Sequence, residues 1–326
     1  MAIDWPISPR RLRKLGVLGI NQRNGEFIAK LNPRRYYPLV DDKLLSKELA
    51  EESGLRVPEL LGVIRTTREI KNLADLVDDH EDFVIKPANG AGGDGILVID
   101  GKQSSQPLVY RRSSGRPIDI ETIALHLSDI LAGAYSLGGR PDAAMIEYRV
   151  KFSPQFAKIS FQGVPDIRII VYRGYPVMAM VRLPTSLSDG KANLHQGAIG
   201  AGVDMVDGHT LGGVARNARV THHPDTQEPI SGVDIPEWQS LLEMAATCND
   251  ITGLGYLGVD VVLDRELGPL ILEFNARPGL SIQVANGEGL RHRINRIDQH
   301  IVHLDHRETA AERATWSREH LAPMTL

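Results

Sequence analysis

The sequence predicts an α+β fold in which strands pair antiparallel, and two observations carry this prediction. Two strand–turn–strand patterns have apolar strands on both sides of a short turn. They are Ile167–Tyr172 with Val177–Arg182 around Arg173-Gly174, and Gly258–Leu263 with Leu270–Asn275 around Arg265–Gly268. In addition, the helical patterns do not alternate regularly with single strands, as they would in a parallel sheet.

Composition and charge restrict the class of protein. The chain has 326 residues, of which 42% are hydrophobic and 24% are charged, and its net charge is -4. This length accommodates about two domains, and the charge provides no basic field that would attract nucleic acid. With a single cysteine, Cys248, the chain cannot form an intrachain disulfide, which is typical of proteins in a reducing compartment. Cys248 is predicted to be a core residue. Because neither a signal peptide nor a membrane span is evident, the sequence predicts a cytoplasmic protein.

The first part of the chain is predicted to be helical and basic. Residues 1–40 read as a basic helix followed by a loop at Asn32-Pro33, and the basic side chains suit either a solvated face or an acidic partner. Asp41 or Asp42 is then placed to cap an amphipathic helix that runs through Ser53 and stops at Gly54.

The remaining elements follow from periodicity and from turn residues. The predicted strands are Val57–Ile64, Phe83–Lys86, Ile96–Ile99 and Ala144–Val150; the predicted helices are Arg68–Val77, Ile118–Leu131, Trp238–Thr252 and a charged tail after Gly289; and the polar stretch Gly101–Pro117 is predicted to be a loop.

A glycine-rich loop lies in the segment VIKPANGAGGDGILVI, residues 84–99. Its glycines fit G-x-G-x-x-G, but a strand pattern follows them where a dinucleotide-binding loop requires a helix. The Gly-Lys-Ser/Thr ending of a Walker A loop is absent, and a kinase would place its lysine after the glycines. The pattern therefore indicates a flap between antiparallel strands, with Lys86 at its base and backbone N–H groups able to approach phosphate. A plain flexible hairpin is the alternative.

A second cluster of polar residues lies in GVDVVLDRELGPLILEFNARPG, residues 258–279. If the turn is centred on Glu266 and Leu267, Asp260 pairs with Glu273, and Asn275 shares their strand face. Facing carboxylates repel each other, and a bound cation removes the repulsion. Oxygen ligands suit Mg²⁺, whereas zinc would need His or Cys. The opposite face is predicted to be an apolar anchor, formed by Val259, Val261, Leu263, Leu270, Leu272 and Phe274. An exposed polar face on an edge hairpin is the alternative.

Taken in order, these segments resemble the ATP-grasp superfamily, in particular ribosomal-protein-modifying α-L-glutamate ligases, over roughly residues 41–290. The matching segments are Asp41-Asp42-Lys43, Phe83–Pro87 with the glycine flap, Met145–Val150, Asp166-Ile167-Arg168, Asn193–Gly197, and Asp260, Glu273 and Asn275 followed by Ala276-Arg277-Pro278-Gly279.

The resemblance implies an ATP-grasp fold, in which two α/β lobes with antiparallel sheets clasp ATP. It divides the chain into a basic segment 1–40, a lobe 41–143 with the first lysine and the flap, a lobe 144–290 with the metal site, and a charged helical tail 291–326. It implies one or two Mg²⁺, or Mn²⁺, on Asp260, Glu273 and Asn275. The residues implied to bind ATP are Lys43, Lys86, Gly90, Gly92, Gly93, Gly95, Glu147, Tyr148 and Val150.

The activity implied by the resemblance is carboxylate–amine ligation through an acyl phosphate, with glutamate, another amino acid or another carboxylate as the donor and a small molecule, peptide or protein as the amine acceptor. Arg168, Asn193 and Arg277 are the implied catalytic residues, although Arg168 could instead form an ion pair with Asp166. The substrate-binding candidates are Asp166, Arg182, Lys191 and His195. His195 is either a general base for the amine or a hydrogen-bonded structural histidine.

The sequence departs from the resembled ligases in two places. Few residues precede Lys43, where those ligases carry a sizeable domain, so we expect a homo-oligomer and a site that a neighbouring subunit or another partner completes. Arg277 stands where the modifying ligase has a small residue. Two other functions stay open: an ATP-binding regulatory or scaffold protein, and a small-molecule kinase. Loss of turnover on substitution of Asp260 or Glu273 would exclude the first, and a requirement for an amine would exclude the second.

Overall fold

Antiparallel pairing organises the molecule, as the α+β prediction requires. The computed structural model describes residues 8–90, 92–105, 107–136, 138–216 and 218–323. The strands of these residues are β1 Leu60–Ile64, β2 Phe83–Pro87, β3 Leu97–Ser105, β4 Leu108–Arg112, β5 Pro117–Asp119, β6 Ala144–Glu147, β7 Asp166–Tyr172, β8 Tyr175–Leu183, β9 Ile199–Val203, β10 Thr210–Ala215, β11 Ala218–Val220, β12 Tyr256–Asp264 and β13 Gly268–Asn275. They form a six-stranded sheet in the order β1-β6-β2-β3-β4-β5 and a seven-stranded sheet in the order β11-β10-β9-β8-β7-β12-β13.

Helices cover the sheets and connect them. The α-helices are α1 Pro9–Lys14, α2 Ile20–Gln22, α3 Ala29–Leu31, α4 Pro38–Asp41, α5 Lys43–Glu52, α6 Leu73–Val77, α7 Ile120–Leu131, α8 Trp238–Thr252, α9 Ser281–Asn286, α10 Arg291–Val302 and α11 Ala310–His320. The Asp42 side chain accepts the Leu44 backbone N–H at 2.8 Å and so caps α5 as predicted. Among the described residues, no helix is both long and apolar enough to cross a bilayer.

The two terminal segments share the core of the seven-stranded sheet. Phe27 is buried in that core, and the buried Asn32 side chain exchanges hydrogen bonds with the backbone of Tyr256. At the other end, the Arg313 side chain donates to the Gly174 carbonyl in the β7–β8 turn. These contacts pack the predicted basic segment and the predicted tail against the strands that carry the site. Positions 1–7 and 324–326 of these segments lie outside the described residues.

Two expectations about the six-stranded sheet need correction. Residues 101–117 were predicted to be a loop, but they contain the second half of β3, all of β4 and the start of β5. The stretch looks polar because these outer strands expose one face, while Tyr110 on β4 is fully buried. In addition, β6 lies between β1 and β2, so this sheet extends to Glu147, beyond the predicted lobe boundary after residue 143.

The β12–β13 hairpin has the predicted pairing of Asp260 with Glu273, but its turn and strand register differ from the prediction. Asp264 pairs with Gly268, which centres the turn on Glu266 and shifts the pairing next to the turn by one residue from the expected register, and a bulge before Glu273 restores that register. The bulge changes the faces of β13. Leu270 and Leu272 pack with Val150, away from the main core that holds Phe274, so the prediction that they share the face of Phe274 is wrong.

Cys248 behaves in the structure as the predicted core residue. It is fully buried in α8, its thiol donates to the Met244 carbonyl at 3.1 Å, and burial raises the pKa of the thiol. We expect native protein to resist alkylation by iodoacetamide at pH 8, and protein in guanidinium to take up one adduct per chain, as measured by intact mass. Rapid native labelling would contradict this assignment.

Candidate nucleotide and metal site

The glycine loop is a flap between paired strands, as predicted. Phe83, Val84 and Ile85 of β2 pair antiparallel with residues of β3, and the loop projects beyond the ends of both strands. Gly92, Gly93 and Gly95 have φ values of +71°, +83° and +76°, a region that other residues enter at a cost. Position 91 lies outside the described residues. The glycines therefore provide the conformation of the loop, whatever the loop binds.

Long-range hydrogen bonds seat this flap. At its base, the backbone and side-chain amides of Asn89 donate to Asp142 at 2.9 and 2.8 Å. On the returning side, His126 Nε2 lies 2.9 Å from the Gly95 carbonyl oxygen. At the tip, Asn193 Nδ2 donates to the Gly92 carbonyl at 3.1 Å. Asn193 lies between β8 and β9 of the seven-stranded sheet, so this hydrogen bond connects the flap to the part of the chain that forms the other sheet. The sequence did not indicate Asp142 or His126.

Lysine side chains meet at the base of the flap. Lys43 Nζ, at the start of α5, donates to the Gly90 carbonyl at 2.5 Å. Lys86 Nζ lies 2.6 Å from Glu147 Oε1, and Lys47 Nζ lies 3.2 Å from Glu147 Oε2. Lys47 was not singled out from the sequence, although its position four residues after Lys43 places both on one helix face. The Glu147 carboxylate, which was predicted to bind ATP, thus has two lysine side chains as its neighbours in the structure.

The segment after β6 connects the two sheets. The Tyr148 N–H donates to the Glu59 carbonyl at 2.8 Å, and its hydroxyl donates to Asp264 Oδ2 at 3.1 Å. Burial and the hydrogen bond to Asp264 raise the pKa of Tyr148 to about 12. Val150 joins Val262 and Leu270 in a small apolar cluster on the face of the hairpin that also carries Asp260 and Glu273. A buried apolar cluster therefore adjoins the acidic residues.

The three predicted metal ligands are neighbours. Asn275 Nδ2 lies 3.3 Å from Asp260 Oδ2 and 3.4 Å from Glu273 Oε1. The Asp260 side chain is 1% exposed, whereas that of Glu273 is 36% exposed. The donor set, two carboxylates and an amide whose oxygen and nitrogen can exchange by a flip, fits a hard cation such as Mg²⁺. The cation would approach from the side of Glu273.

A buried network of arginines surrounds Asp260. Arg168 donates to both carboxylate oxygens, at 2.7 and 2.5 Å, and Arg182 donates to Asp260 Oδ2 at 2.8 Å. Burial opposes the ionised form of Asp260, but the two guanidinium groups hold the pKa of this carboxyl well below its usual range. A cation that binds Asp260 must therefore compete with Arg168 for the same oxygens.

Arg182 also binds Asp166 through two hydrogen bonds, both at 2.5 Å. The alternative in which Arg168 pairs with Asp166 is therefore wrong, because Arg182 takes that carboxylate and Arg168 takes Asp260. Burial raises the pKa of Asp166 to about 6, and the Arg182 guanidinium limits the rise. Asp166 and Arg182, predicted to bind substrate, thus lie within an internal ion network.

The other predicted residues lie around the rim. The Lys191 side chain lies beside Gly93, since a Cβ on that glycine would be 4.0 Å from Lys191 Cδ. His195 is exposed, and its ring makes no hydrogen bond within the described part of the chain, so the structural-histidine alternative finds no support. Arg277 donates to Asp41 at 3.1 Å and lies 5.0 Å from the centre of the Tyr37 ring. It therefore contacts the N-terminal segment just before Lys43.

Comparisons with known proteins show similarity over most of the length of the chain. A family model described as sugar-transfer associated ATP-grasp matches residues 22–299. A probable alpha-L-glutamate ligase of Parasynechococcus marenigrum (strain WH8102) is 24% identical over 264 residues, which are 81% of this chain and 42% of that protein. The chain therefore spans less than half the length of this curated relative.

Solved structures show the same type of similarity at low sequence identity. The D-cycloserine synthetase DcsG is 16% identical, with 85% of this chain and 80% of that chain covered and a TM-score of 0.48. A D-alanine–D-alanine ligase from Bacillus anthracis is 14% identical, with coverages of 87% and 69% and a TM-score of 0.45. The ATP-grasp ligase PsnB, complexed with a phosphomimetic variant of minimal precursor, Mg and ADP, is 13% identical, with coverages of 83% and 60% and a TM-score of 0.43.

Proposed function

Because the chain belongs to the sugar-transfer associated ATP-grasp family, we propose that it is an ATP-dependent ligase that joins a carboxylate to an amine. One observation supports this most strongly: the phosphate-binding candidate Lys43 lies near the metal-binding candidate Glu273. Lys43 lies close enough to both Lys86 and Glu273 for each to influence its pKa. Lysines at the base of a glycine flap and acids on the opposing hairpin would together surround the polyphosphate of a nucleotide.

The proposed roles in binding follow from chemistry and position. Lys43, Lys86 and the N–H groups of the flap would neutralise and orient the phosphates. The partly buried Leu272, at the edge of the apolar cluster around Val150, would contact the flat base, with backbone groups at 147–150 giving polar contacts. Asp260, Glu273 and Asn275 would hold Mg²⁺, which when bound reduces the charge repulsion that opposes attack on the γ-phosphoryl group.

The proposed reaction has two steps. A carboxylate oxygen of the donor attacks the γ-phosphorus of ATP, and the bond to the β-phosphate oxygen breaks, which gives an acyl phosphate and ADP. The amine of the acceptor then attacks the acyl carbon, phosphate leaves, and the nitrogen loses a proton. Arg168 and Asn193 would stabilise charge at the reacting groups, Lys191 and Arg277 would hold anionic parts of the substrates, and exposed His195 is the candidate proton acceptor. Closure of the flap would protect the acyl phosphate from water.

Mass spectrometry of the reaction mixture tests this proposal. Purified protein is incubated with Mg-ATP and pooled amino acids, small carboxylates and amino sugars; amino sugars are included because of the family's association with sugar transfer. We expect ADP and a product whose mass equals two pooled components minus water. Formation of AMP would overturn the acyl-phosphate route. A product that is only phosphorylated would indicate a kinase, and ATP binding without turnover on any acceptor, including peptides, would indicate a regulatory protein.

The affinity for ATP should depend on pH through Lys43. Burial lowers the pKa of Lys43, although Glu273 acts against this, so the side chain loses its charge at a lower pH than an ordinary lysine does. Because the charged form is the one that binds phosphate, we expect affinity to decrease as pH rises from 7 towards 10. Lys43→Arg should move that decrease to higher pH, because guanidinium stays protonated. Calorimetric titration with ATP across this range measures both, and identical profiles would contradict the role of Lys43.

A further inference from the structure

Lys47 forms a buried three-residue cluster with Glu147 and Lys86. Lys47 lies on α5 one turn after Lys43, and its Nζ approaches Glu147 Oε2 at 3.2 Å, while Lys86 Nζ approaches Oε1 at 2.6 Å. Lys47, Lys86 and Glu147 are 7%, 8% and 4% exposed, so bulk water does not stabilise their charges. The Glu147 carboxylate is therefore the counter-ion of two buried ammonium groups.

This stoichiometry matters because Lys86 is a candidate phosphate ligand. If Glu147 had Lys86 as its sole counter-ion, a move of Lys86 towards a phosphate would leave a buried carboxylate unpaired, which is strongly unfavourable. Glu147 would then hold Lys86 and compete with the nucleotide. The contact of Lys47 with Glu147 is an ion pair, and the hydrogen bond of its Nζ goes to the Pro58 carbonyl, a neutral group that anchors the lysine but does not need its charge.

Building on the proposed function, we propose that Lys47 is a positioning residue that keeps Glu147 neutralised while Lys86 transfers to the nucleotide phosphates. The excess positive charge of the cluster is then balanced by the ligand. Because Lys47 acts through Lys86, it affects the affinity for the polyphosphate of the nucleotide and not the affinity for the base. A lysine that merely anchors α5 to the chain before β1 would show no such selectivity.

Ligand binding by full-length variants tests the proposal. We expect Lys47→Met to raise the dissociation constants of ATP and ADP by roughly 30-fold or more, because Glu147 retains Lys86, and to change adenosine binding less than about twofold. Adding Glu147→Gln to Lys47→Met removes the buried charge that holds Lys86, so the double variant should recover the ATP affinity of the Glu147→Gln single variant. Lys30→Met, at an exposed position, is the matched control, and calorimetry and ligand-observed NMR give the constants.

The outcomes separate this inference from the function on which it rests. Absence of ATP binding by the wild-type protein would overturn the proposed function, and the inference with it. Wild-type binding that Lys47→Met leaves unchanged, or weakens equally for adenosine, would overturn the inference alone. So would a double variant that stays as weak as Lys47→Met, since that result would assign Lys47 a structural role. Thermal melting of each variant shows whether the fold is retained.

Discussion

Glu273→Gln is expected to lower the rate of ADP formation at least about 100-fold, a loss of about 3 kcal/mol or more in stabilisation of transition-state charge. The substitution keeps the size of the side chain and removes the negative charge that a cation between the hairpin and the phosphates would need. Glu273 is the better position for this test because it is 36% exposed and approaches Arg168 only at 3.9 Å, so its neutralisation leaves the buried ion network in place. Coupled detection of ADP under saturating substrates measures the effect.

The same hairpin offers a matched control for this substitution. Glu266 lies in the turn, exposed, and pairs with the exposed Arg265, so Glu266→Gln should leave turnover unchanged. Binding of Mn²⁺ in the presence of ADP, followed by electron paramagnetic resonance, gives a readout independent of turnover and should weaken in Glu273→Gln only. Retention of both turnover and Mn²⁺ binding by Glu273→Gln would reject the assignment of Glu273 as a metal ligand.

The acidic pair shows what the sequence could and could not predict about the site. Alternation of side chains and the position of the turn predicted that Asp260 faces Glu273, and this pairing is correct. The sequence did not reveal that the turn is centred on Glu266 or that a bulge precedes Glu273, and the effects of these two features on the register cancel. A bulge inside an apolar strand could not be predicted, because no particular residue type marks it. The consequence is physical: Leu270 and Leu272 move to the face of the site, where they form part of the apolar cluster with Val150.

For the flap and its lysines, too, some features could be predicted from the sequence and others could not. Strand patterns on both sides of the glycines were sufficient to predict a hairpin. The groups that hold the flap, Asp142, His126 and Asn193, lie 31 to 101 residues away in the chain from their partners, and no local pattern connects them. Lys47 was missed because a lysine on an amphipathic helix is ordinarily solvated, and its buried carboxylate partner lies on a strand of the six-stranded sheet.

Arg182→Met is expected to lower the free energy of unfolding by about 3–5 kcal/mol at pH 7, because it removes one partner from a buried ion network. Arg182 binds Asp166 through two hydrogen bonds and Asp260 through a third, so its loss leaves carboxylate oxygens without a counter-charge in the interior. Methionine fills much of the same volume, which limits any contribution from a cavity. Urea denaturation followed by circular dichroism measures the change.

An exposed arginine provides the comparison that isolates burial. Arg265 and Glu266 form an ion pair in which both side chains are more than half exposed, so Arg265→Met should change the free energy of unfolding by less than about 1 kcal/mol. Equal effects at positions 182 and 265 would show that the network around Asp260 contributes to stability no more than a surface pair does.

The pH dependence of the Arg182→Met effect should identify the carboxylate responsible. The pKa of Asp166 is raised to about 6 in the folded protein, so its protonated form favours folding, and stability from this group declines as pH rises from its unfolded pKa of about 3.9 through 6. Loss of the guanidinium raises the pKa of Asp166 further, so the variant should recover part of its lost stability at pH 5 by binding a proton. Asp260 keeps Arg168, and its pKa stays below the usual range, so it contributes little to this recovery. A deficit equal at pH 5 and pH 8 would therefore exclude Asp166 as its main source.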